Sequence, residues 1–207
     1  MDDEPTVFEA LPGRPAGRKD AFEALQRELA QLVGVEAEVG HRIKIKRAVD
    51  ARVKQGGPVP EEWFAPLIRT AIHDPDPSFV RFFILPAIRA FGRERVMVAL
   101  IEQLETGSAA DAAGAARAWY AAAAGVEYRR VDTEMALVRW YFGTALRRFV
   151  TDEDLDVRRC ILPLLPLRPG HYPEELHDLV TQAVAIARTS DDGYLRHRVE
   201  IQVRSRG

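Results

Sequence analysis

A single cysteine, Cys160, in a chain of 207 residues rules out an internal disulfide and a thiolate-built metal site. It sits among Val157, Ile161 and Leu162, where a buried, inert thiol is the expected role. Histidine is sparse as well: His41, His73, His171, His177 and His197. The chain has no His-Glu-x-x-His motif. His171 and His177 straddle an expected helix start at Pro173, a poor spacing for one shared metal. No glycine-rich phosphate loop and no Gly-x-Ser-x-Gly elbow occurs. The expectation is a chain without catalytic residues, metal or cofactor.

Long apolar runs are also missing. A membrane span needs roughly 20 apolar residues, and the longest candidate, residues 109–125, is alanine-rich and carries Asp111 and Arg117. The start, Met1-Asp2-Asp3-Glu4-Pro5, is acidic where a signal peptide is basic. A soluble cytoplasmic protein with no membrane partner is expected. Lysine is scarce, only Lys19, Lys44, Lys46 and Lys54, and arginine and alanine are abundant, the bias of a GC-rich bacterial genome. The net charge of −2 supplies no whole-molecule basic field to draw the chain onto nucleic acid.

What is present is helical periodicity. Residues 1–19 mix acids with Leu11-Pro12-Gly13-Arg14-Pro15-Ala16-Gly17-Arg18 and are expected to form a disordered tail, leaving 20–207 as the folded domain. From Asp20, a plausible N-cap, Phe22, Leu25, Leu29, Leu32 and Val33 recur at three- and four-residue steps. Further helices are expected over 41–54, from about 60 to the Asp74-Pro75-Asp76-Pro77 break, and over 78–91, 94–105 and 109–124. The last four are placed at 133–150, 154–167, 173–188 and 193–203. No stretch sustains period-two alternation, so the fold class is all-α.

Two heptads then stand out. Val80-Arg81-Phe82-Phe83-Ile84-Leu85-Pro86 and Val157-Arg158-Arg159-Cys160-Ile161-Leu162-Pro163 share five of seven positions, and an acidic turn precedes each. Arg81, Arg117, Arg158 and Arg196 recur at intervals of 36, 41 and 38, with Asp76, Asp111, Asp154 and Asp192 just upstream. A buried-helix signature at long period points to stacked helical hairpins. The arginines and aspartates are expected to form hydrogen bonds between units across the turns. Pro86 and Pro163 are expected to kink their helices.

In these residues the chain resembles the HEAT-repeat family, whose second helix opens Asp-(Pro)-x-x-x-Val-Arg-x-x-Ala. The best matches are 74–81 and 154–158, with 109–118 and 191–199 looser; the likeness covers about 20–205. It implies a right-handed α-α superhelix, a HEAT-like solenoid of about five helical-hairpin repeats. The first unit and the insertion at 126–132 fit least well. The deoxyhypusine hydroxylases within this group carry His-Glu ligands, and this chain has no His-Glu dipeptide. The alkylpurine DNA glycosylases place Trp and Asp in a basic cleft. Here Trp119-Tyr120 and Trp140-Tyr141 are the stackable aromatics, but Ala123 and Thr144 stand where an acid one turn later would be. Core packing is the preferred role for them.

Taking the repeat arginines as register, the following residues of each second helix should face the concave wall: Arg47, Phe82, Ala118, Arg159 and His197. A second row reads Lys54, Arg89, Gly125, Pro166 and Arg204, with Asp50 and Glu200 between. Arg129 and Arg130 join them if the insertion folds inward. The expected function is a non-catalytic adaptor or scaffold binding a protein or peptide partner, acidic in character, through Arg47, Phe82, Arg89, Arg129, Arg130, Arg159, His197 and Arg204. Nucleic acid is the alternative partner, and an accessory lyase like the HEAT-like phycobilin lyases is a further one.

Overall fold

The computed structural model describes residues 17–36, 41–124 and 132–204, and in these ranges most of the three- and four-residue apolar spacing becomes helix. The helices are α1 (Gly17–Leu32), α2 (His41–Lys54), α3 (Phe64–His73), α4 (Arg81–Phe91), α5 (Arg93–Thr106), α6 (Ala109–Ala123), α7 (Asp132–Thr151), α8 (Leu155–Ile161), α9 (His177–Thr189) and α10 (Gly193–Arg204). No strand occurs among the described residues. Successive helices pair as α1–α2, α3–α4, α5–α6, α7–α8 and α9–α10. Odd-numbered helices touch in the order α1, α3, α5, α7, α9, and even-numbered ones in the order α2, α4, α6, α8, α10. The core therefore lies between two layers and runs along the array.

Several boundaries differ from the expected ones. Helix α1 starts at Gly17, so residues 17–19 are helical and Asp20 sits in the first turn instead of capping it; residues 1–16 of the expected tail lie outside the described residues. The two heptads end in different ways. Pro86 is accommodated inside α4, whereas α8 ends at Ile161 and Leu162–Leu164 tighten into a 3-10 turn, well short of 167. Proline lacks the N–H that would continue the α-helical ladder. Carbonyls at the turn then find outside donors: Gln202 Nε2 donates to Leu162 and Pro163 at 2.9 and 3.1 Å, and Arg198 donates to Pro163 at 3.2 Å.

The acid-rich turns are built by carboxylates capping backbone N–H groups. Asp74 accepts from Asp76 N at 2.8 Å and Asp76 from Ser78 N at 2.9 Å. Asp152 accepts from Asp154 N, and Asp154 caps α8 through Asp156 N and Val157 N. Each such contact satisfies a donor that the following helix cannot. Between α4 and α5 a single residue, Gly92, turns the chain at φ 88°, a backbone conformation that side-chain-bearing residues enter at a cost.

Burial is uneven along the two units that carry the heptads. Val80, Phe83, Ile84 and Ala87 are buried, while Ile88 and Phe91 are only partly covered. In the matching unit Val157, Ile161, Leu162 and Leu165 are buried and Leu164 only partly. Phe22, Leu29 and Val33 fix α1, while Leu32 is left 38% exposed. The middle of the core belongs to α6, whose Ala112, Ala113, Ala115, Ala116, Ala118 and Ala122 are all buried. A helix buried on nearly all sides needs small residues to let neighbours approach. At Gly114 the approach is closest: a Cβ there would overlap the Ile72 carbonyl oxygen at the end of α3.

Gly114→Ala should therefore reverse the usual sign. In an open helix this change stabilises by about 1 kcal/mol; here it should destabilise by about 1–3 kcal/mol or more, read as a lower urea midpoint. An unchanged or raised midpoint would mean that α6 moves away from α3 without penalty.

Candidate functional site

Where the predicted cations fall depends on which carboxylates the turns hold out to them. Asp74, fully buried, accepts both Arg42 Nε and Nη2 at 2.7 Å, and the Arg42 guanidinium lies over the rings of Phe22 and Phe79 at 4.9 and 4.7 Å. Arg117 sits 3.5 Å from Asp156 and donates to Cys160 Sγ at 3.2 Å. Arg159 is joined to Asp192 with little solvent access to either group. The carboxylate comes each time from the later hairpin and the cation from the second helix of the hairpin before it: α2 to the α3–α4 turn, α6 to α8, and α8 to the α9–α10 turn.

The arginine–aspartate links between units are thus present, but not with the arginines expected to make all of them. Arg117 makes one. Arg158 instead donates to the Phe149 carbonyl at 3.3 Å and Arg196 to the Ser190 carbonyl at 2.5 Å. Arg81 is exposed, its guanidinium 5.8 Å from the Phe82 ring. Asp111, at the start of α6, takes His73 at 2.9 Å and closes a capping box with Ser108.

Burial alone would raise the Asp192 pKa, but hydrogen bonds from Arg159 and the Leu195 N–H, with the charges of Arg159 and Arg196, outweigh it and hold the carboxyl below its ordinary value. Asp50 is lowered in the same way: burial opposes, and hydrogen bonds and charges from Lys46 and Arg89 prevail. Burial raises the Cys160 thiol; the Arg117 charge opposes that shift without reversing it, consistent with an inert thiol.

The predicted binding residues do not converge on one row. Arg47 and His197 are exposed. Phe82 is half-buried against Phe79, ring centroids 5.4 Å apart. Arg89 reaches Asp50 at 2.7 Å while remaining exposed, and Arg204 is 81% exposed, 3.6 Å from Glu200. Arg159 is consumed by Asp192, and Ala118 is wholly buried in α6, so neither offers surface. Pro166 is half-buried, and its carbonyl accepts the Tyr172 hydroxyl at 2.8 Å. Arg129, Arg130 and Gly125 lie outside the described residues.

What the row reading undervalued is α2 as a whole. It carries Arg42, Lys44, Lys46, Arg47, Arg52 and Lys54 against one acid, Asp50. Lys44, Arg47 and Lys54 are exposed, and so are Arg81 and Arg89 on α4, the helix that packs against α2. Charge counted helix by helix would have found it: three of the chain's four lysines lie on this one predicted helix. The aromatics lie elsewhere. Trp119 and Tyr141 are buried and stacked on each other at 3.9 Å with their planes 1° apart, whereas Tyr120 and Trp140 are 70% and 41% exposed. Core packing thus occupies one member of each dipeptide.

Among the described residues no group of three or more His, Cys, Asp or Glu is arranged to hold a metal ion, and no helix is long and apolar enough to cross a membrane. No family model, no curated protein and no solved structure matches the chain.

Two outcomes follow from these ion pairs. Asp74→Ala should cost about 3 kcal/mol in urea unfolding, the low end for a broken buried pair because Arg42 keeps some solvent access. The pH dependence has a fixed sign. Asp50, Asp111 and Asp192 have lowered folded pKa values. Their stabilisation is complete above the unfolded value of about 4 and is lost as pH falls through the lower folded values. Chemical unfolding between about pH 5 and pH 2 should show this loss, and Asp192→Asn should flatten it.

Proposed function

We propose that this chain is a HEAT-like helical-repeat adaptor, its hairpins wound into a right-handed superhelix, that holds an acidic segment of a protein partner against the α2–α4 face. The observation that carries the reading is the concentration of exposed Lys44, Arg47, Lys54, Arg81 and Arg89 there in a chain whose net charge is −2. The ordered contacts of odd with odd and even with even helices support the stacked-hairpin part. A surface that is positive where the molecule as a whole is not attracts acidic partners at short range and rejects basic ones. Such binding weakens with salt, because exposed charges are screened beyond about 10 Å at 0.1 M ionic strength.

Arg47 and Lys54 serve as the test positions, since both are exposed and neither has a resolved role in the core. Fluorescein-labelled polyglutamate and a duplex DNA of similar charge should be titrated in parallel by anisotropy. The expected result is salt-sensitive polyglutamate binding that Arg47→Glu with Lys54→Glu weakens about tenfold, equivalent to ~1.4 kcal/mol. Unchanged affinity in that variant would overturn the site, and tighter binding of DNA than of polyglutamate would move the partner to nucleic acid.

A further inference from the structure

We propose a second site, lined by no residue of α2 or α4 and independent of the α2–α4 face: a cleft that takes a small zwitterion of α-amino-acid type. It opens where the last turns of α5 and α7 meet the Asp152–Glu153 turn, and encloses about 360 Å³, at the small end of ligand pockets, roughly 300–1,000 Å³. Glu105, Thr144, Arg147, Arg148, Asp152 and Glu153 line it.

Part of this wall is locked. Arg148 Nε donates to Asp152 at 2.7 Å, and Arg148 Nη1 to the Glu105 carbonyl at 3.3 Å. Among the described residues the other charges are uncommitted: the exposed side chains of Arg147, Glu105 and Glu153 have no resolved ion pair. Thr144 supplies the observation that points to a ligand. The residue is 3% exposed, it lines the cleft, and its hydroxyl has no hydrogen-bond partner, a condition that buried polar groups rarely tolerate.

The chemistry of the ligand follows from the charges and the helix ends. Helices α5 and α7 both end at the cleft, and helix C-termini favour positive charge. With Glu105 and Glu153 beside them they suit an ammonium group. A simple cation would face Arg147, whose guanidinium instead matches a carboxylate. A molecule carrying both groups a few atoms apart satisfies each, and rotation about χ1 would bring the buried Thr144 hydroxyl, able to donate and to accept, into the set.

The test is a thermal-shift screen of the full chain against the twenty common L-amino acids at millimolar concentration, followed by calorimetry. At least one is expected to raise the melting temperature and to bind. Its N-acetyl and amide derivatives, each missing one charge, should bind at least tenfold more weakly. So should Arg147→Gln and Glu153→Gln, whose exposed positions leave folding intact, and Thr144→Val should weaken binding severalfold. Binding by none of the twenty would overturn the proposal, as would binding that survives Arg147→Gln and Glu153→Gln together. Polyglutamate binding by the same variants should be unchanged, so failure here is separable from failure at the α2–α4 face.

Discussion

The buried carboxylate of Asp74 is the contact on which the first half of the molecule depends. It is inaccessible to solvent, takes both ends of the Arg42 fork, and caps the N–H of Asp76 with the oxygen it shares with Arg42 Nη2. Arg42 in turn lies between the rings of Phe22 on α1 and Phe79 ahead of α4. One ion pair thus ties α1, α2 and the α3–α4 turn together. Charge-assisted, bidentate geometry makes this favourable where a lone buried charge would be severely destabilising. Arginine–aspartate pairs also join consecutive hairpins at Arg117–Asp156 and Arg159–Asp192, so the relation between hairpins is set by polar links as well as by apolar packing.

That arrangement sorts the cations into two kinds. Those meeting a carboxylate of the following hairpin are largely withdrawn from solvent and join one hairpin to the next. Other cations stay at the surface, among them Arg47, Lys54 and Arg81 on α2 and α4. The division depends on position along the helix: Arg42 is held by Asp74, whereas Arg47, little more than one turn on, is exposed. The α5–α7 edge shows a comparable split, with Arg148 bound to Asp152 and its neighbour Arg147 exposed at the cleft.

Much of this was legible in the chain, for identifiable reasons. The all-helical fold followed from three- and four-residue apolar spacing, and the hairpin turns followed from runs such as Asp74-Pro75-Asp76-Pro77. Trp119 was rightly placed in the core. Equivalent sequence positions proved not to be equivalent environments. Arg159 and Phe82 occupy the same place in the two heptads, yet one is ion-paired with Asp192 and the other packs on Phe79. Pro86 and Pro163 likewise match, but Pro86 lies inside its helix and Pro163 in a 3-10 turn, to whose carbonyls Gln202 and Arg198 of α10 donate.

By itself, then, the sequence determined the helices, their pairing and the composition of each turn, since these depend on contacts a few residues apart. Only the tertiary structure decided which arginine meets which aspartate, because those partners lie 32 to 39 positions apart. It also decided that Gly114 admits the α3 carbonyl and that the Thr144 hydroxyl is buried unpaired beside a cleft. Both depend on how closely one hairpin approaches the next, a distance that side-chain volumes and ion pairs settle jointly and no local pattern records.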